Sequence, residues 1–190
     1  MTSFSELELH TDRLLLRPLR ESDADALFHI HSDPQVMRYM STPPWPSIDK
    51  AHELIARNKE AMAVGKFIHL GLERKKGKDL IGLCQLFKLS EQCRRAEIGY
   101  VLASSAWGQG YMHEALVALL NYGFMVLGLN RVEADIDPKN AASARSLLRL
   151  GFRKEGHLRE RWIVGGQVSD SDLYGLLCAE WTAGRVPTNS

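Results

Sequence analysis

The sequence predicts an α/β chain of the α+β type, in which a mixed, mostly antiparallel sheet carries helices on both faces. Three observations predict it. Strand-like segments interleave with helical stripes along the whole chain. In the middle and near the end, neighbouring strand-like segments are joined by short turns that read as hairpins. A purely parallel doubly wound sheet needs long crossovers in place of such hairpins, so it is disfavoured.

The elements follow in order. Arg13–Leu19 (RLLLRPL) alternates as a first strand. Ser22 precedes DADALFHIH and is placed as a helix N-cap with acidic residues in the first turn. Ser41–Ser47 (STPPWPS) holds three prolines and reads as a loop. Ala51, Leu54, Ile55, Asn58 and Met62 recur at helical spacing, so Ile48–Val64 is an amphipathic helix. Phe67–Glu73 and Leu80–Leu89 flank RKKGKD as a hairpin, and Ala96–Leu102 (AEIGYVL) is a further strand. A glycine loop, SSAWGQGY, leads into a helical stripe of Met112, Ala115, Leu116, Leu119, Leu120 and Gly123. Arg131–Ile136 is a strand, Asn140–Leu150 a short helix stopped by Gly151, and Arg153–Val164 and Val168–Leu177 are strands joined through Gly165–Gly166. The order βααβββαβαββ gives a sheet of about seven strands. No repeat or linker divides it, so residues 1–190 are expected to form one domain.

Composition narrows the function. Lys plus Arg, 24, nearly balance Asp plus Glu, 23, and the net charge of +1 argues against a nucleic-acid partner, which needs clustered basic surface. The first residues lack a basic region followed by an apolar run, and no stretch approaches the roughly 18 apolar residues of a membrane span. Cys84, Cys93 and Cys178 are odd in number and lack ligand spacing, so they read as reduced thiols. A soluble cytoplasmic protein without a membrane partner is expected. His29 and His31 lie two apart on a helix and do not share a face, so no metal site is expected.

The most specific motif is Trp107-Gly108-Gln109-Gly110-Tyr111, between a strand and a helix. Glycines let a pyrophosphate approach the backbone closely, and a helix N-terminus adds N–H donors and a favourable dipole. The loop ends Gly-Tyr-Met rather than the Gly-Lys-Ser/Thr of a Walker loop, and His113 stands where a dinucleotide fingerprint needs a third glycine. A plain structural turn is the competing reading of the loop alone.

Context decides. The runs AEIGYVLASSAWGQGYMHEAL, LNRVEADIDPKNAASARSLLRLGFRKEGHLRERW and SDLYGLLCAEW resemble the branch of the GNAT N-acetyltransferase superfamily that acetylates N-termini of ribosomal proteins at alanine or serine. The resemblance runs from about Thr11 to Trp181. It implies the GNAT fold and a V-shaped split for acetyl-CoA between the strand holding Tyr100–Leu102 and the strand starting at Arg131. It implies that Tyr100, Val101 and Leu102 pair with the pantetheine arm, and that the loop from Trp107 and Gly108 through Gln109, Gly110, Tyr111, Met112 and His113 binds the pyrophosphate, the last five through backbone N–H groups. The family's first loop position is usually Arg or Gln and is Trp107 here; its last is usually Gly or Ala and is Met112.

Acetyl transfer to an amine requires a group to take the amine proton, a donor for the oxyanion and a proton for the departing thiolate. Glu97 stands where the family places a catalytic glutamate, and a backbone N–H near Val101 is the candidate oxyanion donor. Asn140 matches an asparagine that contacts the CoA arm and is equally suited to cap a helix. By the same resemblance Ser143 is the candidate that protonates the thiolate or orders a water. Many GNAT enzymes use a tyrosine at the position of Leu147, which cannot donate a proton. Trp45 and Trp162 are candidates to line the acceptor groove, while Asp172 and Tyr174 read as structural. The expected partners are acetyl-CoA and a protein N-terminus or a small amine, and the reading admits a homodimer. Small-molecule acetylation (an amino acid, amino sugar or antibiotic) and a non-catalytic CoA-binding module are the alternatives. The loop Ser41–Ser47 has no carboxylate with which to hold a polyamine.

Overall fold

The computed structural model describes residues 3–184. Eight strands form one sheet: β1 (Leu9–His10), β2 (Leu14–Arg17), β3 (Ile68–Arg74), β4 (Leu80–Ser90), β5 (Arg95–Leu102), β6 (Arg131–Ile136), β7 (Arg153–Val164) and β8 (Gln167–Leu177). Their spatial order is β1-β2-β3-β4-β5-β6-β8-β7. Every pairing is antiparallel except β5 with β6. The mixed, mostly antiparallel sheet and both hairpins expected from the sequence are present. The eighth strand is the two-residue β1, too short to show alternation.

The helices are α1 (Ala24–Ser32), α2 (Pro34–Met37), α3 (Asp49–Ala63), α4 (Tyr111–Asn121), α5 (Ala141–Arg149) and α6 (Cys178–Ala183). Ser22 does not cap α1. It lies in a tight 3-10 turn, Glu21–Asp23, and the buried Asp23 carboxylate accepts from the Arg20 N–H at 2.7 Å and from the Arg17 guanidinium at 2.8 and 2.9 Å. Arg17, also buried, donates to Glu73 at 2.6 Å. Asp23 thus serves a buried ion network joining β2, β3 and the entry to α1. Pro18 has no N–H for the ladder, which accounts for the early end of β2. After Asn121, α4 widens into one π-turn, Tyr122–Val126. The Trp181 indole of α6, an element without a strong periodic signal, donates to Asn121 at 2.9 Å.

Two cores flank the sheet. One joins β5 residues Ala96 and Ile98 to Leu116 and Leu119 of α4 and Leu147 of α5. The other joins Val101 and Ala103 to Leu27 and Ile30 of α1 and Leu54 and Ile55 of α3. Side chains alternate faces along a strand. Ile98 and Tyr100 therefore face α4 and α5, while Glu97, Gly99 and Val101 face α1 and α3. Among the described residues no helix is long and apolar enough to cross a membrane.

Candidate active site

The parallel pairing of β5 with β6 stops early. Arg95, Ala96 and Glu97 lie opposite Arg131, Val132 and Glu133, and the paired register goes no further. β5 runs on to Leu102 beside β4, while β6 runs on to Ile136 beside β8. The strands therefore part from Ile98 onward and leave the backbone edge of Ile98–Leu102 open. A cleft of about 820 Å³ sits at the parting, lined by Glu97, Tyr100, Asn140, Ser143 and Trp162 among others.

The groups in the cleft approach from opposite faces. On the α1/α3 side the Glu97 carboxylate accepts from the Lys88 ammonium at 2.6 Å. On the α4/α5 side the Tyr100 hydroxyl and Ser143 Oγ are 2.6 Å apart. Burial pushes the Tyr100 phenol up to about 12, against the opposing effect of the Ser143 hydrogen bond, so it stays protonated near neutrality. Ser143 is held in place from behind: its N–H donates to the Asn140 side chain at 3.1 Å, which makes Asn140 the N-cap of α5. Leu147 is fully buried in the core. An amine reaching the split from one face would meet a carboxylate, and a thioester arriving from the other would have its sulfur beside two hydroxyls.

At the far end of β5 the loop turns through Gly108 (φ 73°) and Gly110 (φ 79°), both in the left-handed region that favours glycine. Gly110 is the N-cap of α4, whose first backbone bond runs from Glu114 N–H to the Gly110 carbonyl at 3.1 Å. The N–H groups before it, those of Tyr111 and Met112, belong to the first turn of α4, where the helix dipole favours an anion. A Cβ added at Gly108 would meet nothing within 4 Å, so the outer side of the turn is open. A Gly-rich turn, the N–H groups of a helix N-terminus and open space together fit a pyrophosphate.

The loop is braced. Arg13 donates to the Gln109 carbonyl at 2.9 Å and lies 4.4 Å from the centre of the Tyr111 ring. Glu114 accepts from Thr11 at 2.5 Å and from the Arg13 N–H and Nε at 2.8 and 2.6 Å. Burial pushes the Glu114 carboxyl up, but the bonds from Thr11 and Arg13 outweigh it and hold it below its ordinary value. The Trp107 indole donates to the Leu102 carbonyl at 2.8 Å, and the Gln109 amide to the Ser105 carbonyl at 3.1 Å. Trp107, standing in the family's usual Arg or Gln position, thus ties the loop to β5.

Of the two candidate tryptophans, Trp162 lines the cleft and its indole donates to Asp135 at 3.3 Å. Trp45 stacks on His31 with ring centres 4.1 Å apart, and it packs against the α1/α3 core outside the cleft lining. Asp172 holds Lys154 at 2.6 Å and His157 at 2.8 Å, and Tyr174 is buried in the core. Sequence reasoning missed Lys88, the Tyr100 hydroxyl and Asp135, which line the cleft, and the Arg13–Glu114 brace. Only the AEIGYVL motif carried a signal for any of them, and it pointed to the Tyr100 backbone.

A parting parallel strand pair offers an open backbone edge, and the glycine turn beside it offers N–H donors at a helix N-terminus, an arrangement that fits a long ligand ending in a pyrophosphate. The model of the acetyltransferase (GNAT) domain matches residues 13–153, so the chain belongs to the GNAT acetyltransferase family and is an N-acetyltransferase. Members of that family use acetyl-CoA. Similar proteins include an uncharacterized N-acetyltransferase, p20, of Bacillus licheniformis, 36% identical over 91% of this chain and 97% of that one. A [ribosomal protein uS5]-alanine N-acetyltransferase of Escherichia coli is 29% identical over 95% of each chain. A spermidine N(1)-acetyltransferase of Vibrio cholerae is 26% identical over 83% of this chain and 89% of its own. Among solved structures, a GNAT-family acetyltransferase from Bacillus anthracis superposes with a TM-score of 0.81 at 26% identity, over 92% of this chain and all of that one.

Proposed function

We propose that the acceptor is the α-amino group of a protein N-terminus, ribosomal or other, and that Glu97 takes its proton before the amine attacks the acetyl-CoA carbonyl. The observation that carries this reading is the shape and charge of the cleft. It runs between the segment of residues 34–44 and the tip of the β7–β8 hairpin, and its volume suits two or three extended residues. Its three carboxylates, Glu97, Asp135 and Asp137, are balanced in number by Arg38, Lys88 and Lys139 in the same lining. Glu97 pairs with Lys88 at 2.6 Å, and Asp135 lies 3.6 Å from Arg161 and also accepts from Ser171 and Trp162. A polyamine with several cationic centres needs unmatched carboxylates, whereas one α-ammonium needs one. The likeness to the uS5-alanine acetyltransferase supports the reading, and the likeness to the spermidine enzyme is weighed against it by this charge balance.

The test is a panel of N-terminal peptides beginning with Ala or Ser, set beside spermidine, amino acids and amino sugars, with free CoA as the readout. Peptides are expected to turn over with higher kcat/KM than any small amine. Turnover of spermidine or an amino sugar alone would replace this acceptor.

In the same reading Ser143 returns a proton to the CoA sulfur, with Tyr100 as its hydrogen-bond partner, while Asn140 holds the CoA arm and caps α5. Ser143→Ala is expected to cost less than the roughly 10²-fold that marks the lower end of general acid–base effects, because water can also protonate a thiolate. Its deficit should persist as pH rises, since hydroxide supplies no proton. A deficit that vanishes at high pH would take Ser143 out of this role.

A further inference from the structure

Lys88 is in an unusual place. In β4, Phe87 lies opposite Glu97, and the regular register then breaks until Ser90 faces Arg95. Regular alternation would send Lys88 to the opposite face from Phe87 and Glu97, toward α4 and α5. Instead Lys88 adopts φ 51°, a left-handed conformation uncommon for a residue with a side chain. The break re-aims its side chain across the sheet edge onto the Glu97 carboxylate, inside the cleft. Bulges that re-aim side chains, and strained backbone, both concentrate at functional sites. A primary ammonium therefore stands on the carboxylate that would receive an acceptor ammonium.

We propose that Lys88 is a built-in acceptor: with acetyl-CoA present and no other amine bound, the enzyme acetylates its own Lys88 Nζ. The inference rests on the reading of Glu97 as the group that takes the amine proton. The Lys88 ammonium gives one proton to Glu97, which passes it to solvent. The nitrogen lone pair then forms the bond to the acetyl carbonyl carbon, the C–S bond breaks, and its electron pair leaves on sulfur. The second proton shed by nitrogen goes to the thiolate, giving an amide and free CoA. The amide carries no charge and cannot keep the ion pair, so acetylation also frees Glu97 for an incoming ammonium.

The experiment incubates the full chain with acetyl-CoA alone and reads intact mass and the acetylated positions by peptide mapping. One acetyl group is expected at Lys88, at a rate per molecule independent of protein concentration. Holding the amine at the reaction centre should make Lys88 react on the order of tenfold or more faster than Lys139 in the same cleft. Lys88→Arg, which keeps a cation for Glu97, should lose the modification, and Glu97→Gln should slow it roughly 10²-fold or more. Acetylation of Lys88 no faster than that of surface lysines overturns the proposal. If a peptide or amine is meanwhile acetylated with dependence on Glu97, the base reading stands and only the self-acceptor falls. Fast acetylation of Lys88 that is unchanged in Glu97→Gln keeps the self-acceptor and overturns the base reading.

Discussion

Glu97→Gln is expected to lower turnover by roughly 10²–10⁴-fold near neutral pH while leaving acetyl-CoA affinity close to that of the parent enzyme. The carboxylate sits on the α1/α3 side of the parted strands, away from the glycine turn at the other end of β5. The amide keeps the shape of the carboxylate and cannot take a proton. Folding should survive, because the amide has the size of the carboxylate and the lost ion pair is open to solvent on the Lys88 side, with Lys88 56% and Glu97 16% exposed, so its loss costs on the order of 1 kcal/mol. Steady-state kinetics on an accepted peptide, with calorimetry for acetyl-CoA, separate the two effects. Full turnover by the variant would leave catalysis to desolvation and positioning of an amine that is already neutral.

Gly110→Val should act on the other half of the reaction. The residue has φ 79°, where a β-branched side chain is an outlier, and an added Cβ would come within 3.4 Å of the Arg13 guanidinium that braces the loop. Relaxing φ would turn the first N–H groups of α4 away from the pyrophosphate. Acetyl-CoA affinity is expected to fall at least about tenfold, or about 1.4 kcal/mol. A thermal melt shows whether the variant is folded. A folded variant with parental affinity in calorimetry would remove this loop from the cofactor site.

The element order was legible because its signals are local. The stripe Met112–Leu120 and the turns at RKKGKD and Gly165–Gly166 each report on a few neighbouring residues, and all became the expected elements. What failed depended on distant partners. Ser22 was a good cap by type, but it falls in the 3-10 turn before α1, where Asp23 is held by the Arg17 guanidinium that also donates to Glu73. Trp45 in a proline-rich loop looked available to a substrate, yet the loop folds back and lays the indole on His31.

The candidate site divides in the same way. Glu97, Asn140 and Ser143 came from motif resemblance rather than from periodicity, and the fold brings all three to one cleft. Glu97 and Tyr100 lie on opposite faces of β5, and only the parting of β5 and β6 makes that useful. Lys88 was invisible. In KLS nothing announces a left-handed lysine, because the break is imposed by the turn into β5 rather than by a glycine at the position itself.

Glu97 as the group that takes the amine proton is tested most directly by the pH dependence of kcat/KM. The measurement compares parent enzyme and Glu97→Gln on one N-terminal peptide. An α-amino group has a reference pKa of about 8, so the neutral amine becomes plentiful above that pH and needs no base. The expected result is a wide gap between the two enzymes near neutrality that closes as pH rises past the amine's own pKa. A gap that stays constant across the range, or no gap at neutral pH, would contradict the assignment.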